Sequence, residues 1–167
     1  MKTNITLIGM PGAGKSTVGI VLAKNMSMGF IDTDILIQIN RQQSLQSILD
    51  TKGYLYLRQV EEEEILRLNI DNQVIATGGS AVYSTKAMQY LQQISTVVFL
   101  DVSLDEIRRR IHNFSTRGIA CAPDQSFEEL FAQRLLLYRR YADVTIDGSC
   151  AAQEEIAETI EKLVTSL

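Results

Sequence analysis

The chain has 167 residues, 46% of them apolar and 22% charged, with a net charge of −4 at neutral pH. That length suits one well-cored domain, and the composition excludes a disordered chain. No run of eighteen apolar residues occurs, so a membrane-spanning helix is excluded as well, and the acidic balance offers no general attraction to nucleic acid or anionic membrane, so any anion must be bound by a local device.

Short apolar runs alternate with longer amphipathic stretches, the βαβ pattern of an α/β domain with a parallel sheet. The predicted strands are 5–7, 30–31, 74–75, 97–100 and 144–146. Each is brief and apolar, as a strand covered on both faces should be. Helical periodicity covers about 15–25, 55–70, 84–92, 104–112, 127–141 and 152–164, whereas 114–124, with Arg117, Gly118 and Pro123, reads as a mobile surface loop. Residues 1–4 lead straight into the first strand without a signal-peptide core, so a cytoplasmic location is expected.

The first strand runs into Gly9-Met10-Pro11-Gly12-Ala13-Gly14-Lys15-Ser16-Thr17. This is the phosphate-loop pattern, with the required strand before it and helix after it. Its glycines let consecutive backbone N–H groups point inward at phosphate oxygens, and the helix adds its positive dipole end. Gly12, Ala13, Gly14, Lys15, Ser16 and Thr17 are therefore assigned to nucleotide. Lys15 reaches the β- and γ-phosphates and the Ser16 hydroxyl ligates Mg²⁺. A Gly-rich turn without ligand is the alternative, and the Lys-Ser pair argues against it.

At the end of the second strand lie Asp32 and Asp34, where open α/β sheets bind ligands. Two carboxylates two residues apart on extended chain share one side of it, so one can hold Mg²⁺ through water while the other accepts a proton from an attacking hydroxyl. A helix N-cap at Asp34 with a turn at Asp32 fits equally. Arg58 and Glu61 are three apart on a helix, so Glu61 can hold the guanidinium that Arg58 offers to an anion; a surface ion pair is the plainer reading. Three of the four glutamates at 61–64 read as a solvated face. After the third strand, Gly78 and Gly79 suggest close approach of backbone to ligand, or an ordinary tight turn. His112 is the only histidine and reads as a polar helix residue; Cys121 and Cys150 read as ordinary thiols. No guanine-reading Asn-Lys-x-Asp stretch is present, which weakens a GTPase assignment.

The ordered set of phosphate loop, Asp32-x-Asp34, Arg58-x-x-Glu61, Gly78-Gly79, Arg117, and Arg134 ahead of Leu137-Tyr138-Arg139-Arg140-Tyr141 resembles the shikimate kinases, across nearly the whole chain. The resemblance implies a three-layer α/β/α domain with a five-stranded parallel sheet of nucleoside-monophosphate-kinase-like type, an acceptor region at about 32–62 and a mobile lid at about 112–125. It implies ATP and Mg²⁺, with phosphoryl transfer to a hydroxyl of shikimate in aromatic amino acid biosynthesis. Asp34 would orient or deprotonate that hydroxyl; Arg58 and Arg134 would grip the carboxylate; Gly78 and Gly79 would line the site, Gly79 with a backbone donor. Asp32 and Ser16 would attend to Mg²⁺, Arg117 would close over the phosphoryl group beside Lys15, and Arg110 would lie near the adenine. A monomer working on small molecules, without nucleic acid or membrane, is expected.

Three positions depart from the family pattern: Ser80 replaces a usual third glycine, Gly118 a proline after the lid arginine, and Leu57 a phenylalanine in the acceptor region. A serine held at positive φ would cost about 1 kcal/mol or more, and the glycine is expected to add entropy to lid closure. Gluconate or a nucleoside monophosphate is the alternative acceptor, and a nucleotide-binding module without turnover the alternative class.

Overall fold

The computed structural model describes residues 2–111 and 118–166. Five strands, β1 (Asn4–Ile8), β2 (Gly29–Asp32), β3 (Gln73–Ala76), β4 (Ser95–Asp101) and β5 (Val144–Asp147), form one parallel sheet in the order β2-β3-β1-β4-β5. The helices are α1 (Lys15–Met26), α2 (Thr33–Arg41), α3 (Leu45–Leu66), α4 (Thr85–Ile94), α5 (Leu104–Arg110), α6 (Phe127–Tyr141) and α7 (Gln153–Thr165), with a 3₁₀ turn at Ala81–Tyr83. Central β1 is buried throughout, while edge strands β2 and β5 are only partly covered. The main core includes Leu7, Ile8, Val98 and Phe99 of the sheet with Val18 and Leu22 of α1.

Register decides where the site falls. Leu7 and Asp32 both pair with Ala76, and Ile8 pairs with Phe99. The phosphate loop after β1, Asp32 at the end of β2 and residues 77–80 after β3 therefore emerge side by side at one sheet edge.

All five strands were expected from the sequence; helix α2 was not. Its segment Ile35-Leu36-Ile37-Gln38-Ile39 mixes strand and helix periodicity, because Ile35 and Ile39 face solvent while Ile37 is fully buried. Helix α3 begins about ten residues earlier than predicted, at an N-cap Ser44 whose hydroxyl accepts the Ser47 amide at 3.1 Å, and it kinks at Gly53. Together α2, α3 and the stretch around Ala120 build a second, smaller core of Ile37, Ile48, Leu57, Val60 and Ala120.

The glutamate run is not a solvated face. Glu61 and Glu64 are both 3% exposed, and Glu64 accepts from Asn40 at 2.7 Å and pairs with Arg67. Glu62 accepts the Ser84 hydroxyl and Glu63 pairs with Arg41 at 2.6 Å. A helix packed on three sides leaves little room for solvated carboxylates, so each finds a partner.

The described part of 114–124 is a loop with Pro123 and Asp124 exposed, as a surface loop should be, but its first residues are not on the surface. Gly118 and Ala120 are buried. Gly118 has φ +70°, and its amide donates to Gln46 Oε1 at 3.0 Å on α3. Proline, confined near φ −65° and without an N–H, fits neither feature. The glycine thus serves a fixed conformation here rather than slack. Arg117 and His112 lie outside the described residues.

Candidate active site

A cleft opens at that sheet edge, with Gly12, Gly14, Lys15, Ser16 and Thr17 on one side and Asp34, Leu57, Glu61, Gly79, Ser80 and Arg134 among the residues opposite. On the first side the loop adopts positive φ at Gly12 (81°) and Gly14 (96°), conformations that suit glycine. No side chain caps the N-terminus of α1, so its first amides face the cleft as donors for an anion. Lys15 is 8% exposed, and its Nζ donates to the carbonyls of Gly9 and Met10 at 2.8 and 2.9 Å. That tethers the ammonium across its own loop. Ala13 is buried beneath it.

Ser16 Oγ donates to Asp32 Oδ2 at 2.6 Å, while Asp32 Oδ1 accepts the amides of Asp34 and Ile35. Asp32, not Asp34, is therefore the N-cap of α2, and Asp34 sits in the first helical turn rather than on extended chain. One carboxylate thus fixes the helix that carries the other. Ser16 and Asp32 together make a hard oxygen pair suited to a cation held mainly by phosphates and water. Among the described residues no group of three or more His, Cys, Asp or Glu side chains forms a protein-only metal cage.

The opposite wall is built on Gly78, Gly79 and Ser80. The Gly78 amide donates to buried Thr33 Oγ1 at 3.1 Å, so it is spent inside the fold. A Cβ at Gly78 would lie 2.6 Å from Asp34 Oδ1 and closer still to Glu61 Oε1, so the two carboxylates converge there. A Cβ at Gly79 would lie 2.7 Å from Pro11 Cδ and 2.9 Å from an Arg134 nitrogen, and Tyr138, stacked on Phe99, donates its hydroxyl to the Gly79 carbonyl at 2.6 Å. Ser80 has φ −98° and ψ −1°, an ordinary right-handed conformation, so the strain expected of a serine there is absent. Its hydroxyl donates to Glu61 Oε2.

Glu61 does not hold Arg58. It turns inward to Ser80, and burial, with the Asp34 carboxylate next in weight, pushes its acid up to about 7. Arg58 instead lies over the ring of Tyr83 at 3.6 Å and near Tyr54 at 5.0 Å, and its Nε is buried without a partner. It lines a shallow groove next to the cleft, with Tyr54, Gln125 and Gln133. Burial, with neighbouring Arg134 contributing, lowers its basicity.

Arg134 does reach the cleft. It is 1% exposed, donates to the Ala120 carbonyl at 2.6 Å, and its Nε has no partner. A buried guanidinium with an unused donor is suited to a carboxylate. Tyr83 lies within 5.5 Å of it and so touches both arginines. Nothing in the sequence singled out Tyr83 or Thr33, since each acts through a contact across the fold. Arg110 sits behind the phosphate loop, donating to Glu106 and to the carbonyls of Ala13, Gly148 and Ser149.

Fold and cleft define a P-loop phosphotransferase of nucleoside-monophosphate-kinase-like architecture. A family model described as shikimate kinase matches residues 11–165. Among curated relatives, the shikimate kinase of Sulfurihydrogenibium sp. (strain YO3AOP1) is 34% identical over 158 residues, covering 94% of this chain and 95% of its own. That of Paracidovorax citrulli is 39% identical over 148 residues, covering 86% and 81%. The solved shikimate kinase from Acinetobacter baumannii in complex with shikimate superposes with a TM-score of 0.91 at 29% identity, over 99% of this chain and 94% of that one. The chain belongs to the shikimate kinase family, phosphotransferases that use ATP and act on a hydroxyl of shikimate.

Proposed function

We propose that this protein transfers the γ-phosphoryl group of ATP to the 3-hydroxyl of shikimate, with the residues of the cleft in the following roles. The phosphate loop holds the triphosphate, Lys15 neutralises its β- and γ-oxygens, and Ser16 and Asp32 would hold Mg²⁺, whose charge would offset that of the phosphates. Asp34 orients the acceptor hydroxyl and takes its proton as the new O–P bond forms and ADP departs. Arg134 grips the carboxylate with its unused Nε donor, Arg58 supplies the second cation from its rest on Tyr83, and Gly78 and Gly79, whose missing side chains leave room for Asp34, Glu61 and Arg134, border the acceptor. Arg110 borders the adenine and Arg117 meets the transferring group. Leu57 forms the apolar floor. The single observation that carries this reading is that Asp34 and the buried cation Arg134 line the same cleft as Lys15 and Ser16.

Within one domain, residues 32–62 make the acceptor region and 112–125 the lid. Among the described residues no helix is long and apolar enough to cross a membrane, and a cytoplasmic monomer acting on small molecules, without nucleic acid or membrane partners, completes the reading. The test is ADP release from ATP and Mg²⁺ against a panel of hydroxy acids and alcohols that includes gluconate. Stimulation by shikimate well above the rest is expected. Stimulation by another acceptor alone would replace the substrate, and ATP binding with no stimulation by any would favour a binding module.

A further inference from the structure

Two cations serve the acceptor's carboxylate in the reading above, and one aromatic ring lies against both. Resting on that reading, we propose that Tyr83 is a positioning residue for acceptor binding: its ring holds the Arg58 guanidinium by the face, beside Arg134, and so keeps the Arg58 N–H donors out of an ion pair with Glu61 and available to the carboxylate.

Tyr83 ends the 3₁₀ turn that follows Gly78, Gly79 and Ser80, so its backbone is set by the same turn that builds the acceptor wall. Its hydroxyl donates to Gln133 Oε1 at 2.6 Å, and Gln133 directly precedes Arg134 on α6. Gln125 donates to the same oxygen at 3.1 Å. The ring is thereby fixed at both ends, with Arg58 Cζ 3.6 Å and Arg134 Cζ 5.5 Å from its centroid. At 3.6 Å the guanidinium meets the ring face to face, because an edge-on approach would drive its nitrogens into the ring. Such a contact uses the flat face of the cation and leaves the donors, which lie in its plane, to other partners. The buried Nε of Arg58 has none. Helical spacing alone would bring Arg58 to Glu61, three residues on, and an acceptor carboxylate would then have to displace that pairing. Instead Glu61 takes the Ser80 hydroxyl and Arg58 takes the ring. Arg134 is already anchored on the Ala120 carbonyl, so Arg58 is the cation of the two that needs a guide.

The experiment removes the ring and keeps the bulk. Tyr83→Leu and Tyr83→Met are compared with Tyr83→Phe by steady-state kinetics and by proton–nitrogen NMR of the arginine Nε–H groups, with Arg58→Lys assigning the Arg58 signal. Both ringless variants should raise KM for shikimate about tenfold, the equivalent of one partly desolvated cation–π contact. Their kcat and KM for ATP should stay within about twofold of wild type, since the lost contact acts on acceptor binding alone. The Arg58 Nε–H proton, moved upfield by the ring in the wild type, should lose that displacement in both. Tyr83→Phe, which keeps the ring, should restore the signal and the low KM together. An unmoved KM or Arg58 signal in the ringless variants, a loss in kcat in place of KM, or a phenylalanine variant that behaves as they do overturns the proposal. Absence of shikimate-stimulated turnover in the wild type overturns the acceptor reading instead, and the Arg58 signal still decides whether Tyr83 holds that guanidinium.

Discussion

Residues 9–17 line one side of the cleft as one unbroken stretch of chain, presenting backbone amides together with the side chains of Lys15, Ser16 and Thr17. The wall opposite draws on α2, α3, the turn after β3, the segment around Ala120 and α6, and what it presents is side chains: Asp34, Glu61, Ser80 and Arg134. The first side rests on the main core; the second is shared, with Ser80 and Arg134 beside Ala81 and Tyr138 of the main core and with Leu57 and Ala120 in the small separate one. Phosphates are alike in every nucleotide, so a cradle of amides serves them all, whereas a particular hydroxy acid must be met by particular groups at set distances. Under the proposed function, the wall assembled from several segments is therefore the one that carries specificity.

That contrast can be broken by substitution on either side. The largest effect should come from Asp34→Asn, with kcat lower by about 10²–10⁴-fold, the usual range for a lost proton acceptor, and ATP affinity by calorimetry unchanged. Lys15→Ala should lose turnover and ATP affinity together. If Asp34→Asn weakened ATP binding as much as Lys15→Ala, the division into halves would be wrong. A smaller effect is expected from Gly79→Ala, whose Cβ meets Pro11 and Arg134. Overpacking there should raise KM for shikimate about tenfold while leaving KM for ATP near its wild-type value.

The smallest effect concerns the junction of the two halves. Gly118→Ala places a Cβ on left-handed backbone, 2.6 Å from Leu45 Cβ. A loss of about 1–2 kcal/mol is expected, seen as a fall of a few degrees in Tm by scanning calorimetry. An unchanged Tm would mean that the 118–120 segment is not fixed to α3 as the Gln46 hydrogen bond indicates.

Much of this was legible in the order of residues. The five strands and the phosphate loop are local features, since a strand buried on both faces must be an apolar run and a loop that cradles phosphate must be glycine-rich. Helix α2 was not legible, because its apolar residues sit on both the buried and the solvent side. The pairing of Arg58 with Glu61 was a fair inference from helical spacing, but it ignored what else each side chain meets: a tyrosine ring for one, a serine hydroxyl for the other.

The sequence by itself determined the fold class and the family, because each rests on short-range pattern or on an ordered set of motifs. Only the tertiary structure decided that Asp32 caps the helix carrying Asp34, that Gly118 is held at positive φ against Gln46, and that Ser80 sits unstrained against Glu61. The last two are contacts between segments distant in the chain, and the first is a choice between two cap positions that the order of residues left open. A side chain's protonation and aim are set by whatever surrounds it in space, and spacing along a sequence carries no record of that.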